Sequence, residues 1–194
     1  MINLNSVACT GCAACVAGCP KDALYIKQNK EGFYRPEIKK EKCIECGICE
    51  KICPINSNEW KCNGEMLETY ASSNRNDIIR LESSSGGIFY ELAKKIIEMD
   101  GSVYGCSWTS PSVAEHIVVT AEQNLALLTK SKYVQSKLEY IYREIKSDLK
   151  KGRMVLFSGT PCQTAGLRAF LRWNPKNLIL VDFICHGVPS PYSL

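Results

Sequence analysis

The chain has 194 residues, 45% of them hydrophobic, and a formal net charge of +4. This composition supports a folded core and excludes global disorder, and the length allows one domain or two small ones. No apolar run approaches the ~20 residues of a membrane helix and the N-terminus lacks the features of a secretory signal, so we expect a cytoplasmic protein without membrane insertion.

The twelve cysteines are the most unusual feature of the composition. In a small secreted protein they would indicate disulfides, but eight of them fall in two identical short patterns, which metal binding in a reducing compartment explains better. The pattern C-x₂-C-x₂-C-x₃-C-P occurs once over residues 9–20 and again over residues 43–54. This repeat predicts a duplicated half-domain with pseudo-two-fold symmetry.

The spacing within each repeat is that of bacterial ferredoxins with two [4Fe–4S] clusters. Three cysteines, each separated from the next by two residues, aim their thiolates at one cube, and the fourth reaches the other cube. Cluster I is assigned Cys9, Cys12, Cys15 and Cys53, and cluster II is assigned Cys43, Cys46, Cys49 and Cys19. Gly11 and Gly47 suit a backbone that wraps closely around sulfide, and Pro20 and Pro54 end each run.

Two alternatives to redox clusters are structural zinc and clusters that only staple the fold. Zinc sites with four cysteines also use C-x₂-C pairs, but three cysteines in consecutive C-x₂-C steps followed by C-P are rare among them. Two clusters in one small domain favour electron transfer. Each oxidised cluster with its thiolates carries about −2, so the pair offsets the formal charge and the lysine count does not indicate nucleic-acid binding.

The character of the chain changes near residue 68. Residues 1–62 are poor in apolar runs, as expected of a two-cluster ferredoxin-type domain, and residues 56–64 form a connector. Residues 68–194 contain longer apolar segments, in which helices are predicted at 88–99, 122–128, 138–151 and 163–173. Strands are predicted at 102–108, 116–120, 154–157 and, as another buried strand, 177–184. The fold class is therefore α+β, a ferredoxin-like domain followed by an α/β domain with a mostly parallel sheet.

A serine- and glycine-rich loop precedes the helix at residue 88. Ser84, Ser85, Gly86 and Gly87 offer hydroxyls and free N–H groups at a helix N-terminus, which suits an anion such as phosphate. A plain helix cap with flexible glycines is the alternative. No G-x-G-x-x-G or Walker sequence is present, so neither a standard dinucleotide fold nor an ATPase is indicated.

A second loop, residues 159–163, joins a strand to a helix. Thr160 is predicted as the N-cap, Pro161 as the first helical residue and Gln163 as the reciprocal capping partner. Cys162 then lies in the first helical turn, where the helix dipole favours a thiolate. Strand ends of this kind are where open α/β sheets bind ligands.

The remaining cysteines and one histidine have weaker indications. Cys185 and His186 end the last strand, so Cys162 and Cys185 share a sheet edge if the two strands are neighbours. Three interpretations of these two cysteines are open: a redox pair, ligands of a further metal or, by default, small buried residues. Cys162, Cys185 and His186 are the candidates for a catalytic role, although His186 is by default a hydrogen-bonding loop residue rather than an acid, base or ligand. Cys106 is predicted in the core, and Cys62 has no assigned role.

The order of these motifs resembles the family of coenzyme F420 hydrogenase/dehydrogenase beta subunits. The ferredoxin repeat is followed by SSSGG (83–87), SKYVQS (131–136), GTPCQ (159–163) and D-x-I-C-H-G-V-P-S-P (182–191). The resemblance covers essentially the whole chain and implies an iron–sulfur flavoprotein. It places FAD against residues from three loops, namely Ser84, Ser85, Gly86, Gly87, Ser131, Lys132, Gln135, Gly159, Thr160, Pro161, Cys162 and Gln163.

The resemblance also implies a route for electrons. They would pass from a redox partner protein or another low-potential donor through a first and a second cluster to flavin N5, and then to a small-molecule hydride acceptor such as coenzyme F420. Family members usually continue past residue 191, so the chain is expected to be C-terminally truncated. An electron-transfer module with clusters and no active site, and a structural or assembly protein, are the alternative functions.

Overall fold

A computed structural model describes residues 8–56 and 68–193. The N-terminal part is built around one antiparallel hairpin flanked by two single helical turns. Its elements are α1 (Ala14–Ala17), β1 (Leu24–Gln28), β2 (Tyr34–Ile38), a 3₁₀ turn (Lys40–Lys42) and α2 (Ile48–Lys51). The two helical turns lie 34 residues apart in the chain, the same spacing as the two cysteine repeats, as a duplicated half-domain requires.

The second part is an α/β unit with a four-stranded sheet in the order β4-β3-β5-β6. Its elements are α3 (Asp77–Leu81), α4 (Ile88–Glu98), β3 (Ser102–Ser110), β4 (Val113–Val119), a 3₁₀ helix (Glu122–Leu128), α5 (Ile141–Lys150), β5 (Val155–Ser158), α6 (Pro161–Leu171), β6 (Leu178–Val181) and a last 3₁₀ turn (Pro191–Ser193). β3, β5 and β6 are mutually parallel, and β4 pairs antiparallel with β3. The predicted fold class, with its mostly parallel sheet, is confirmed.

The prediction for the last strand is wrong in two respects. β6 ends at Val181 rather than at residue 184, and it is an edge strand rather than a buried one. Phe183 and Ile184 are 55% and 88% exposed. An apolar run of this kind predicts a strand buried within the sheet, but only one neighbouring strand, β5, pairs with β6 in the described part of the chain. The predicted helix at 122–128 is a 3₁₀ helix.

The sheet separates two apolar layers, because successive side chains on a strand point to opposite faces. Val103 and Leu156 pack on one face with α4. Tyr104 and Phe157 pack on the other face with α5 and α6, whose apolar side chains are fully buried there. Each such buried side chain stabilises the fold by about 1.5–3 kcal/mol. The α1 turn joins the second layer through its alanines, so the ferredoxin part packs directly on α5 and α6.

Two helix N-termini point to the same edge of the sheet, from opposite faces. α6 begins just after β5 ends, and α4 runs back along the opposite face into the start of β3. Both helices therefore direct their positive dipole ends to the edge where β5 and β6 finish, which we call the carboxyl edge. None of the helices in the described ranges is both long and apolar enough to cross a bilayer.

Candidate redox site

The two cysteine repeats adopt the same unusual backbone conformation. In the first repeat Gly11 and Ala13 have positive φ angles of 72° and 61°, and in the second Glu45 and Gly47 have 52° and 70°. These residues precede and follow the second cysteine of each repeat, so each loop curls the same way around a space in front of its thiols. Gly11 precedes the second cysteine of its repeat, whereas Gly47 follows the second cysteine of its own. The two remaining left-handed positions are occupied by residues with side chains, Ala13 and Glu45.

The thiols assigned to cluster I influence one another electrostatically. The Cys15 thiol interacts electrostatically with those of Cys12, Cys9 and Cys53. Burial raises the pKa of the Cys12 thiol to about 12 and also raises the pKa of Cys15. Without metal these sulfurs are therefore neutral thiols, and iron must displace their protons to bind. Cys15 is buried and Cys9, Cys12 and Cys53 are half-buried, and four cysteine sulfurs are the kind of donor set that an iron–sulfur cube requires.

The thiols assigned to cluster II lie nearer to solvent. Cys46 is exposed, and Cys43, Cys49 and Cys19 are half-buried. The Cys19 sulfur accepts a hydrogen bond of 3.3 Å from the backbone N–H of Ala23, and Cys19 and Cys49 both pack against a small apolar cluster that includes Val16. The ligand sets of both clusters stay predictions, with cluster I in the better-defined surroundings.

Helix α6 approaches the cluster I loop at a glycine. A Cβ atom added to Gly166 would lie 3.0 Å from both the Cβ and the sulfur of Cys12, and 3.1 Å from the Tyr142 hydroxyl. That hydroxyl donates a 2.7 Å hydrogen bond to the carbonyl of Gln163. Gly166 thus allows the backbone of α6 to lie directly against a predicted cluster ligand.

The side chain of Gln135 joins the two parts of the chain through hydrogen bonds to the ferredoxin backbone. Its side-chain oxygen accepts a 2.6 Å hydrogen bond from the N–H of Tyr34, and its amide nitrogen donates 3.2 Å bonds to the carbonyls of Tyr34 and Thr10. Gly11 must be a glycine here, because an added Cβ would lie 2.5 Å from the Gln135 amide nitrogen. The side chain predicted to contact flavin is therefore engaged with ferredoxin backbone, and its flavin contact stays a prediction.

The 159–163 loop has the predicted cap. The N–H of Thr160 donates a 2.9 Å hydrogen bond to the Gln163 side-chain oxygen, and α6 begins at Pro161. The Thr160 hydroxyl lies 3.0 Å from the Cys162 sulfur. Cys162 also interacts electrostatically with Cys12, which brings a thiol of the carboxyl edge beside the cluster I ligands.

A buried hydrogen-bond chain joins the loops of the carboxyl edge, and its central residue is His116 on β4. Its Nε2 lies 3.1 Å from the carbonyl of Ser158, and its Nδ1 lies 3.2 Å from the Ser136 hydroxyl. Ser136 in turn accepts a 2.9 Å hydrogen bond from the Gln163 amide. Burial lowers the pKa of His116 to about 4, and a neutral ring with its proton on Nε2 satisfies every bond in the chain. Sequence reasoning placed His116 in a strand and missed this role.

The serine- and glycine-rich loop lies against the 131–136 segment, and the flavin contacts predicted for both stay predictions. The Ser84 hydroxyl accepts a 2.7 Å hydrogen bond from the N–H of Ser131. Gly86 permits a close pass of the preceding chain, because an added Cβ would lie 2.6 Å from the carbonyl of Ser72. Gly87 is the N-cap of α4 with a left-handed φ of 76° and no side-chain cap. No side chain in the described part of the chain caps this helix, and Ser85 is exposed at its N-terminus.

The other predicted residues have varied surroundings. The Lys132 ammonium donates to the carbonyls of Leu127, Thr129 and Lys130, which ties its segment to the end of the 3₁₀ helix. β5 and β6 are neighbours, so Cys162 and Cys185 do follow adjacent strands. The Cys185 sulfur accepts a 3.4 Å bond from the N–H of Gly187, and His186 is exposed. The redox-pair, metal-site and catalytic hypotheses for these residues stay predictions.

Cys106 differs from its prediction, and Cys62 lies outside the described residues. Cys106 is half-buried rather than a full member of the core, and it faces His116 across the β3–β4 pair. Burial raises the pKa of its thiol to about 11. Its neighbours in the structure are Lys132 and Ser136, which are residues of the 131–136 segment.

Comparison with known proteins agrees with this geometry. Residues 8–57 match the family model described as a 4Fe-4S dicluster domain. A ferredoxin of Mycolicibacterium smegmatis is 30% identical over 74 residues, which are 38% of this chain and 65% of that protein. The F subunit of the F(420)H(2) dehydrogenase of Methanosarcina mazei is 22% identical over 188 residues, which cover 91% of this chain and 53% of that one.

A third relative supports the N-terminal match alone. The B subunit of the ion-translocating oxidoreductase complex of Methanosarcina acetivorans is 40% identical over 55 residues, which are 28% of this chain and 19% of that one. The chain spans less than two thirds of each of these relatives. The matched segment contains both cysteine repeats. The similarity to these relatives therefore supports iron–sulfur clusters, rather than zinc ions, at the two repeats. Over residues 8–57 the chain belongs to the 4Fe-4S dicluster family of ferredoxin domains, and it is an iron–sulfur protein with an oxidoreductase or electron-transfer role.

Proposed function

We propose that the chain is an iron–sulfur flavoprotein oxidoreductase that moves electrons between two [4Fe–4S] clusters and FAD, and from there to or from a hydride carrier. The observation that carries this proposal is the contact between the cluster I loop and the carboxyl edge. Cys12 packs against Gly166 of α6 and interacts with Cys162, which opens that helix. Cluster I would thus be adjacent to the place where an open α/β sheet binds its ligand.

The same geometry orders the two clusters. Cluster I is assigned Cys15, which is buried, and Cys12, which packs against α6, whereas cluster II is assigned the exposed Cys46. Cluster II would therefore be the outer cluster, which exchanges electrons with a donor, and cluster I the inner one, which faces the carboxyl edge.

The residues at the carboxyl edge fit the phosphates of FAD. α4 begins at Gly87 without a side-chain cap, so its N–H groups and dipole are available to an anion. Ser84 and Ser131 are already bonded to each other, which fixes the two loops that would flank the phosphates. Gly159, Thr160 and Gln163 would border the ring side, next to Cys162. When bound, a flavin would couple single-electron exchange with the clusters to two-electron hydride chemistry.

Coenzyme F420 is the hydride carrier that we favour. The relative that aligns with most of this chain is named as part of an F(420)H(2) dehydrogenase, and its alignment extends beyond the ferredoxin part. A second candidate, an electron-transfer module without an active site, is favoured by the exposure of Phe183 and Ile184, which leaves the carboxyl edge open to solvent on the β6 side.

A flavin titration of the chain, reconstituted anaerobically with both clusters, separates these two functions. We expect about one FAD per chain to bind, with quenched flavin fluorescence, and F420H₂ to bleach the clusters only when FAD is present. Ser85→Glu would place a carboxylate at the N-terminus of α4 and should abolish FAD binding while both clusters remain.

Ser112→Glu is the matched control, because Ser112 is an exposed serine in the β3–β4 turn. It should bind FAD like the unaltered chain. A chain that holds both clusters and binds no FAD would contradict the flavoprotein proposal and leave the electron-transfer module as the function.

A further inference from the structure

A basic cleft lies between the ferredoxin part and helices α5 and α6, away from the carboxyl edge. Its volume is about 420 Å³, and it is lined on the ferredoxin side by Cys19 and Ile52 and on the helix side by Phe170. Three cations also line it, namely Arg143, Lys146 and Arg172. The proposed flavin site uses none of these residues.

The three cationic side chains differ in the groups that they already contact. Arg143 donates hydrogen bonds to the carbonyls of Ala17 and Cys19, at 2.7 Å and 3.0 Å, and forms a 2.7 Å ion pair with Asp22. Its role is to hold the loop that presents Cys19. The Lys146 ammonium lies 5.1 Å and 5.6 Å from the ring centres of Phe170 and Trp173. Within residues 8–56 and 68–193, neither Lys146 nor Arg172 has a carboxylate partner.

The cleft opens beside the outer cluster. Cys19 is a predicted ligand of cluster II, and it forms part of the cleft wall. Cys46 of the same ligand set is exposed, and its neighbour Ile44 is 58% exposed. A partner seated on the cleft would therefore bring its own redox centre close to cluster II without any movement of the chain.

We propose that this cleft docks an acidic one-electron carrier protein, and that cluster II is where the electron enters. The inference rests on the proposed electron-transfer function. Two cations without carboxylate partners would attract an acidic patch and speed encounter, and the apolar side chains of the rim would give the contact its packing. In the step itself the reduced carrier loses one electron and cluster II gains it, and no bond forms or breaks.

Charge reversal at the cleft tests the docking directly. Arg172→Glu and Lys146→Glu are compared with Lys95→Glu, which makes the same change of charge on α4, at the opposite face of the sheet. Arg172 is exposed, so its variant should fold even if the Lys146 variant does not. Two reductants are used in stopped-flow measurements of cluster bleaching. One is a small acidic ferredoxin, and the other is the methyl viologen radical cation, a small molecule of opposite charge.

We expect the rate constant with the acidic ferredoxin to fall about tenfold in both cleft variants at low ionic strength, and the difference to shrink at high salt. The Lys95→Glu chain and all rates with methyl viologen should stay within about twofold of the unaltered chain. An unchanged ferredoxin rate in Arg172→Glu, or an equal loss in Lys95→Glu, would overturn the docking proposal alone. Clusters that neither reductant bleaches would overturn the electron-transfer function and the docking with it.

Discussion

The two cysteine repeats have the same spacing and the same backbone conformation, yet they lie in very different surroundings. The first is covered by α6, by Tyr142 and by the Gln135 amide, and it contains Cys15, the only buried thiol among the described cysteines. The second presents Cys46 and Ile44 to solvent. The two halves pack against each other at the residues that follow the two helical turns. Gly18 of the first repeat leaves room for the side chain of Ile52, its counterpart in the second.

This difference separates what a motif determines from what the rest of the chain determines. The repeat sets how each loop wraps around its cluster, since the left-handed residues recur 34 positions apart. The α/β part then buries one cluster site and leaves the other open. Because solvent exposure tunes cluster potentials, two copies of one motif acquire different redox surroundings.

The largest expected effect is the loss of one cluster. Cys46→Ser and Cys12→Ser should each remove about four of about eight iron atoms per chain. Only Cys12→Ser should also speed amide exchange in α6, because only Cys12 packs against that helix. Iron analysis and hydrogen–deuterium exchange provide the readouts. Cys106→Ser, which alters a cysteine outside both ligand sets, should keep all its iron, and full iron in Cys46→Ser would contradict the assignment of cluster II.

The buried histidine gives the next largest effect. Its folded pKa of about 4 lies below the ordinary value of 6.5, so the unfolded chain binds the proton more tightly between these values. Stability therefore rises with pH across this window, and up to about 3 kcal/mol is lost as the pH falls through it. NMR of histidine ring signals with oxidised clusters should show His116 still neutral at pH 5.5, with His186→Gln used to assign the two rings. A midpoint near 6.5 for His116 would show that the hydrogen-bond chain is absent.

Crowding the contact between α6 and the first repeat should have a smaller effect. Gly166→Ala places a Cβ 3.0 Å from the Cys12 sulfur, and we expect about 1–3 kcal/mol of destabilisation. Cluster I should be lost earlier than cluster II on oxidation in air, as followed by EPR of the reduced protein. Arg168→Ala, at an exposed position of the same helix, is the control. Equal loss of both clusters would mean that α6 does not discriminate between them.

The smallest effect is expected at Gln135, whose side chain joins the two parts of the chain. Gln135→Ala removes three hydrogen bonds to ferredoxin backbone and should cost about 1–2 kcal/mol. The amide of Tyr34 should exchange faster, while that of Gly32 in the hairpin turn should not change. Gln123→Ala alters an exposed glutamine of the 3₁₀ helix and should leave both amides alone. Unchanged exchange at Tyr34 in Gln135→Ala would show that Gln135 does not hold the two parts together.

Local signals made most of the fold predictable. The helix cap at Thr160 and Gln163 depends on residues three positions apart, and α5 buries Ile141, Ile145 and Leu149 at helical spacing. The hydrogen bonds of Gln135 were not predictable, because its partner Tyr34 lies 101 residues away and no local pattern encodes that contact. The exposure of β6 was hidden for a similar reason, since an apolar run looks the same at the edge of a sheet as at its centre.

Iron and acid-labile sulfide analysis of anaerobically prepared protein is the most direct measurement of all. Two cubes held by eight thiolates predict about eight iron and about eight sulfide per chain, with a broad visible absorbance that dithionite bleaches. Zinc in place of iron, or a folded chain that carries neither iron nor sulfide, would contradict the account.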